Sequence, residues 1–570
     1  MANSAVFPSF QPQSWPFCTL KRRRRCWLSK GKNVRNVMAR GYSEAGASTT
    51  KRALRGFTPS SGSPHEDINQ NNGTLRQRSR MLYMAAPVAT SAINTNRTKV
   101  VGTGLTLKSS IDRDVLGISP EAAKQWQRKT EAEFRIWASK PQNCDAIGLN
   151  NFSGLQQLAL TAWLMSGDVF ALFKRHEPSA LNPYALRVHL IEADRICTPD
   201  TYGATSMLNL TAGIIPSGQP GAGHKVYDGV EINDDGRIEA YHICSTYPLT
   251  IELNTERTWT RVPAYGSKTG LPNILQIMTS ERPDQYRGVP YLAQVIEPLL
   301  QLRRYTESEL MAALVQSFFT AWIETETDTA QIPVNEVGGG DIAGVPGENP
   351  ESGISSSENE YEMGPGTAIH LAPGEKVQFG NPNIPTAGFE TFVKSICRMI
   401  GAALEIPYDV LIKEFNSSYS ASRGALLEAW EAFKMRRTWL VDRFCQPVYE
   451  VWLSEAVARG RIKAPGFFDD PLVRAAWCGA RWIGPVQGQL DPKKEAAAAI
   501  TLTTCGVKTH EQITRELGGG DWQENIEQLK QENELLAAAG SAAHQEISSE
   551  DDEIDDEDED GGDGDVAHEL

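Results

Sequence analysis

Residues 385–462 constrain the fold more than any other stretch of the chain. They begin PTAGFETFVKSICRMIGAALEIPYDVLIKEF, continue NSSYSASRGALLEAWEAF and close KMRRTWLVDRFCQPVYEVWLSEAVARGRI. Phe389, Phe392, Ile396, Ile400 and Ala403 recur at three- and four-residue spacing, so the first part predicts a helix with one apolar stripe. Glu405-Ile406-Pro407 ends it, because a residue before proline is pushed out of the helical region. A polar loop is expected from Tyr408 to Ser420. A second helical run then carries Leu426, Trp430, Phe433, Arg437, Leu440, Phe444, Val448 and Trp452 on one face. Gly460 supplies its C-terminal stop, and Pro447 predicts a kink. Two long helices joined by a Ser/Asn-rich loop suit an assembly in which every subunit presents one loop.

The 570 residues exceed one ordinary core, so two to four domains are expected. No run of eighteen apolar residues offers a membrane span. Charge is unevenly placed: residues 1–80 hold 15 Lys/Arg against 3 Asp/Glu, whereas residues 541–570 hold 14 Asp/Glu and no Lys/Arg. The remaining body is acidic, which argues against a tight, sequence-neutral grip on phosphates, since such binding runs on Lys/Arg and counterion release. The nine cysteines are odd in number and none forms a C-x-x-C pair, so neither a disulfide framework nor a zinc site is indicated and a reducing cytosol fits. Cys397 and Cys445 fall on apolar helical positions and read as buried structural thiols.

Along the chain, Lys21-Arg22-Arg23-Arg24-Arg25 lies in an unpatterned leader with no apolar core long enough for a signal peptide. Residues 58–72, rich in Ser, Gly, Pro and Asn, read as a flexible connection, with order beginning near Leu75 and a helix over Met81 to Thr98. Gly102 and Gly104 lack the third glycine and the Lys-Ser/Thr of a phosphate loop and predict a strand-end turn. Ser119-Pro120 starts a helix with Trp126, Thr130, Phe134 and Trp137 inward. Ser153 with Gln156 predicts a capping box on the next helix, which buries some combination of Leu158, Trp163 and Leu164. Residues 171–250 change to strand period: 185–191 and 226–232 alternate, and the turn Asn233–Gly236 returns the chain through 237–243 as a hairpin. His189 and His242 are the one metal-pair candidate, without carboxylates at ligand spacing. Gly288-Val289-Pro290 opens a helix to about Val315 that carries Arg303, Arg304, Glu307 and Glu309. Phe318 to Ile323 reads as extended, 324–363 as an exposed acidic Gly-rich insertion, and 368–371 with 376–379 as strands about Ala372–Glu375. Thr509 with Gln512 and Asp521 with Glu524 predict two capped short helices. The acidic end reads as disordered, and its final His-Glu-Leu, without a signal peptide, is set aside as a retrieval signal.

Four segments resemble the portal proteins of tailed double-stranded-DNA phages, the lambda type in particular. They are RSRMLYMAAPVATSAINTNRTKVVGTGL (78–105), ERPDQYRGVPYLAQVIEPLLQL (281–302), GAALEIPYDVLIKEFNSSYSASRGALLEAW (401–430) and WIGPVQGQLDPKKEAAAAI (482–500). In order and spacing they cover most of residues 40–530. The resemblance implies an α+β portal fold and a homo-oligomeric ring, usually of twelve subunits, at one capsid vertex, through which DNA is packaged and ejected. It implies a basic flexible leader at 1–74, which such portals can lose on maturation, and a mixed α/β wing at 75–285. A stem helix at 286–317, a small β-containing clip at 318–384 and a second stem helix at 385–404 follow. A channel loop at 405–422, a long helix at 423–462, a wing end with a helical crown at 463–540 and the tail at 541–570 complete it. The implied partners are further copies of the chain, terminase, the major capsid protein and scaffold, head-completion or adaptor proteins, and duplex DNA passing without sequence specificity; virion and host cytoplasm are the implied locations, and no membrane or cofactor is implied. An acidic channel wall suits DNA that must slide without sticking.

The channel loop supplies the candidate site: Lys413, Glu414, Asn416, Ser417 and Ser418, with Arg423 at the helix start. A short loop of mixed charge touches phosphates transiently without gripping them. Read without the resemblance, the same residues make a plain interhelical loop capped by Ser and Asn. No catalytic residue is assigned, because the phosphate loop with its lysine, H-E-x-x-H and G-x-S-x-G are all absent from the sequence. Besides a portal ring, the sequence leaves open another head–tail adaptor or scaffold-binding virion protein, and a soluble α+β enzyme with a dispersed site.

Overall fold

A computed structural model describes residues 47, 51–54, 56–57, 61–202, 212–248, 256–318, 322–325, 375–378, 388–415, 419–488, 492–518 and 520–538. The chain divides into two units, Met1–Ser61 and Gly62–Leu570. The first contributes a 3-10 turn, Arg52–Leu54.

The second unit mixes helix and antiparallel sheet. Its order begins earlier than the sequence suggests. A π-turn His65–Asn69 runs into α1 (Gln70–Ala85), followed by α2 (Pro87–Asn96). Half of the expected flexible connection is therefore helical, and Leu75 lies inside a helix rather than at its start. The physical reason is tertiary: Asn69 and Asn72 are buried, and the Asn72 side-chain amide donates to the Gly288 carbonyl at 2.7 Å. A polar composition that reads as linker thus supplies buried hydrogen-bonding groups with a partner.

Past the turn at Gly102 and Gly104 come β1 (Thr106–Ser109), the short α3 (Arg113–Leu116), α4 (Pro120–Ala138), the single-turn α5 (Pro141–Cys144) and α6 (Phe152–Ser166). Ser119 caps α4 as expected, its hydroxyl accepting from the Ala122 N–H. The box at Ser153 does not form. Asn151 caps α6 instead, and Gln156 spends both ends of its amide on the Leu105 backbone, at 2.7 and 3.1 Å. Trp163 and Leu164 are buried, whereas Leu158 is exposed.

Strands β2 (Val169–Arg175), β3 (Leu186–Glu192) and β9 (Ile274–Ile277) form a sheet in the order β3-β2-β9. A second sheet runs β4 (Ala212–Ile214), β5 (Lys225–Tyr227), β6 (Val230–Ile232), β7 (Ile238–Cys244) and β8 (Trp259–Pro263) in chain order. The stretch 226–232 is two strands rather than one. Asp228 and Gly229 both have positive φ, 47° and 82°, and fold the chain back on itself. An Asp-Gly pair inside an alternating run is a tight-turn signal that the alternation masks. The hairpin at Asn233–Gly236 forms as expected. His189 and His242 lie on different sheets, and among the described residues no cluster of three or more His, Cys, Asp or Glu fits a metal.

At the centre of the five-stranded sheet, the fully buried Glu231 takes a two-pronged bond from Arg261 at 2.7 and 2.8 Å, with His224 at 2.8 Å and His242 at 3.3 Å. Burial alone raises a carboxyl pKa; His242, Arg261 and His224 beside it outweigh that and hold Glu231 at about 2. A depressed carboxyl pKa contributes stability above the unfolded value of about 4.3, and that contribution is lost as pH falls toward about 2. Hydrogen-exchange protection in β5–β8, measured against the intrinsic rate at each pH, should therefore fall as pH drops between those two values. Glu231→Gln should flatten that dependence, and an unchanged acid profile in the variant would refute the assignment.

The long helices follow. After a 3-10 turn Ala293–Val295, α7 spans Ile296–Phe318, so the helix starts later than Gly288 and takes in Phe318, which the sequence reading made extended. β10 (Trp322–Thr325) pairs antiparallel with β11 (Glu375–Gln378). Glu324 is thus in a strand rather than the insertion, and the expected strand at 368–371 lies outside the described residues. α8 (Phe389–Ala403) packs on α7, with Tyr305 between the Phe389 and Phe392 rings at 5.5 and 4.9 Å. Its buried face is Cys397, Ile400 and Leu404, so the stripe is rotated from the expected one; Ala403 faces outward and Phe392 is half exposed.

The loop expected from Tyr408 contains a short helix, α9 (Tyr408–Ile412). Then α10 (Tyr419–Leu440), a π-turn Val441–Cys445 and α11 (Gln446–Ala458) make one nearly continuous helix. The irregularity falls immediately before Pro447, which has no N–H to continue the ladder. Gly460 (φ 69°) closes it, with the Arg461 N–H reaching back to the Ala456 carbonyl at 3.0 Å. Phe444, Val448, Tyr449, Trp452 and Ala456 are fully buried. They meet α4 and α6 in an aromatic cluster with Phe134, Trp137 and Phe152, at centroid separations such as 5.0 Å for Phe134–Trp452. Each such large side chain contributes roughly 1.5–3 kcal/mol by burial. Glu455 adds a polar tie, accepting from the Ala185 and Leu186 N–H groups at 2.6 and 2.9 Å.

The chain ends in α12 (Pro471–Trp477), β12 (Ala480–Ile483, paired with β1), α13 (Pro492–Thr504), α14 (His510–Leu517) and α15 (Trp522–Ala538). The capping box at Thr509 and Gln512 forms completely. At Asp521 only half does: its carboxylate accepts from Gln523 and Glu524 N–H groups, while the Glu524 side chain pairs with Lys108. Among the described residues no helix is long and apolar enough to cross a membrane. Cys397 and Cys445 are buried as expected.

Two glycines fasten these parts together. A Cβ on Gly288 would sit 1.9 Å from the Gly167 carbonyl oxygen, and one on Gly167 (φ 87°) 2.4 Å from the Gly288 oxygen. The backbones leaving α6 and approaching α7 touch directly, which side chains at either position would prevent.

Candidate functional site

The loop between α8 and α10 is built on a fixed base. α8 ends where Gly401 lets the chain cross itself: the Ile406 N–H bonds the Gly401 carbonyl at 2.9 Å, and a Cβ on Gly401 would meet the Ile406 oxygen at 2.5 Å. Glu405 takes φ 53° at this corner. Ile406, Val410 and Leu411 are buried, and Ser91 of α2 donates to the Leu411 carbonyl at 2.6 Å.

Arg436 of α10 clamps the corner. Its guanidinium donates to Asn96 Oδ1 at 3.2 Å, to the Leu404 carbonyl at 3.3 Å and to Glu405 Oε2 at 2.6 Å, and lies 4.9 Å over the Tyr291 ring. The Tyr291 hydroxyl bonds the same Leu404 carbonyl. The next residue, Arg437, donates to the carbonyls of Val100, Lys99 and Pro485 at 2.9, 2.8 and 2.8 Å. Burial lowers its pKa, yet its planar fork satisfies three backbone acceptors that no lysine would reach together.

Beyond this base, Lys413 ends α9 in the left-handed conformation (φ 63°) and is exposed. Glu414 points back rather than outward: it accepts from the Tyr408 hydroxyl at 3.0 Å and lies 3.7 Å from Lys394 of α8. Burial first, then the Glu414 carboxylate, raise the Tyr408 hydroxyl pKa. Phe415 is exposed. Asn416, Ser417 and Ser418 lie outside the described residues. Arg423, on the second turn of α10, is 3.6 Å from Glu495 of α13. Of the described candidates, Lys413 is thus presented outward, Glu414 braces the loop, and Arg423 ties α10 to the C-terminal helices.

Sequence reasoning missed the residues that aim the loop: Ser91, Tyr291, Glu405 and Arg436. The available signal was the Arg436-Arg437 doublet inside an otherwise apolar face, where charged groups need partners. The site offers a hydrogen-bonded corner, with Lys413 and Phe415 exposed beyond it.

Comparison with known proteins finds relatives along most of the chain. Residues 50–437 match the family described as phage portal protein, lambda family. The portal protein of Escherichia phage N15 is 25% identical over 496 residues, covering 85% of this chain and 89% of that protein. Portal protein B of Escherichia phage lambda is 25% identical over 511 residues, covering 88% of this chain and 90% of its own. Among solved structures, a chain from the neck of a native gene transfer agent particle overlays 79% of this chain and 94% of its own length, at 11% identity and a TM-score of 0.35.

Proposed function

Because this chain belongs to the lambda family of phage portal proteins, we propose that its copies close into a ring at one capsid vertex, through which duplex DNA is packaged and later ejected. The observation that carries this reading is the family match over residues 50–437 together with relatives aligned along nearly the full chain. The family is structural, and the protein acts as a passage and a docking platform rather than an enzyme. The ring has twelve subunits. Terminase binds it during packaging, head-completion proteins replace terminase, and the capsid shell and scaffold surround it. The β10–β11 ladder beyond α7 and α8 is the docking tip, the sheets around β2 and β7 form the outer wing, and α13–α15 form the crown.

Support for a multi-subunit assembly comes from the surface of the single chain. Leu310, Met311 and Leu314 of α7 and Met399 of α8 are each at least half exposed, which is costly unless neighbours cover them. The loop tip at Lys413–Ser418 faces the DNA: one lysine per copy, with Glu414 turned inward, gives weak, repeated phosphate contact.

Negative-stain microscopy of the purified protein should show annular particles with a central hole that admits a duplex. Particles that stay single or paired under assembly conditions, with no trace of the chain in mature virions, would overturn the reading.

A further inference from the structure

The C-terminal helices α14 and α15 have no buried residue among those described. Ion pairs tie them to the body. Around a cleft of about 330 Å³ stand four cations of the body: Lys108 on β1, Lys124 and Arg128 on α4, and Arg481 on β12. Each is paired with an acid of the C-terminal helices or their cap. Lys108 pairs with Glu524 and lies 3.8 Å from Asp521; Lys124 and Arg128 both pair with Glu527; Arg481 meets Glu511 at 2.8 Å. The body contributes one acid here, Glu131, 3.6 Å from Lys108 and bonded by the Ser109 N–H.

Ordinary amphipathic helices bury an apolar stripe. In α15, Glu524 and Glu527 pair with cations of the body, while Ile526, Leu529 and Leu535 are exposed. Exposed pairs contribute only about 0–1 kcal/mol each, and they are screened over about 10 Å at 0.1 M salt. A helix held this way yields to any polyanion that offers the same cations more charge. Duplex DNA presents one charge per roughly 1.7 Å of axis, denser than the carboxylates of α15.

We propose that Lys108, Lys124 and Arg128 form a phosphate-binding surface for duplex DNA, neutralised in the free protein by Glu524 and Glu527 of α15, which acts as an acidic lid. DNA and lid compete for one set of cations, so binding at this surface releases α15. This site is separate from the channel loop. It rests on the portal reading only for the identity of the polyanion.

The test is fluorescence anisotropy of a labelled random-sequence duplex with full-length protein at fixed low salt. Wild type should bind weakly. Glu524→Gln with Glu527→Gln should bind at least tenfold tighter, and the slope of log affinity against log salt should steepen by roughly two to three for about three new phosphate contacts. Adding Lys124→Glu and Arg128→Glu should return binding to the wild-type level. Hydrogen exchange should show α15 opened in the double variant and the aromatic core unchanged, which separates lid release from misfolding. No gain in the double variant, or a gain that persists in the quadruple variant, overturns the proposal. Ring images of wild type, and DNA binding after removal of Lys413–Ser418, report on the portal reading independently.

Discussion

Arg287→Met is expected to cost the Gly62–Leu570 unit about 3–5 kcal/mol, the range for breaking a buried ion network by removing one partner. Arg287 and Asp168 are both completely buried, joined at 2.6 Å. The guanidinium also bonds the carbonyls of Ile196 and Ala193 at 2.9 and 2.8 Å and lies 2.8 Å from the Asp228 carboxylate. Asp168 in turn takes the Gly288 N–H at 3.2 Å and lies 3.4 Å from Arg76 of α1. One side chain therefore connects α1, the start of β2, the Asp228 turn and the approach to α7. Methionine matches much of its volume but leaves Asp168 and several carbonyls unpaired.

The pH dependence gives this prediction a second edge. Burial alone would raise the Asp168 pKa, and Arg287 and Arg76 outweigh it, so the carboxyl sits below its ordinary value. Its stabilising contribution is present above the unfolded carboxyl pKa and is lost as pH falls through the folded one. Without Arg287 the pKa rises, and protonation then relieves the buried charge. The deficit of Arg287→Met should accordingly shrink as pH drops through the carboxylate range. Urea unfolding of both proteins at neutral and acid pH tests this. A loss below about 1 kcal/mol at neutral pH would show that the network is a minor contributor.

Deleting Lys413–Ser418 is expected to leave ring assembly intact while DNA packaging or retention falls to background. The deletion begins after Leu411, whose burial and bond from Ser91 hold the base of the loop. The clamp of Arg436 on Leu404 and Glu405 is likewise untouched. What is lost includes the exposed Lys413 and Phe415, together with the Glu414 bonds. Lys413→Gly is the gentler companion. Glycine tolerates the φ of 63° at that position, so the backbone stays while the charge goes, and packaging should fall less than in the deletion. Rings that package normally without the tip would refute its role at the channel.

Much of this molecule could be read from local pattern. Ser119 with Pro120, Thr509 with Gln512, and Gly460 mark helix ends that form as written, because caps are satisfied within three or four residues of chain. Three of the failures share one cause. Gln156 left its expected box for the Leu105 backbone, Glu524 left its box for Lys108, and Asn72 left a nominal linker for Gly288. In each case a partner far along the chain offered a better hydrogen bond or charge than the local one.

By itself the sequence determined the family, the helical periods and the long helices that flank a short polar loop, since these depend on repeats within a few residues. Only the tertiary structure decided how the base of that loop is anchored, where the charge of Arg287 is neutralised, and which side chains of α15 meet the body. Those outcomes depend on contacts between residues separated by 119 positions for Asp168 and Arg287 or 416 for Lys108 and Glu524. No periodicity encodes such a contact; it exists only once close packing has brought the two side chains into reach.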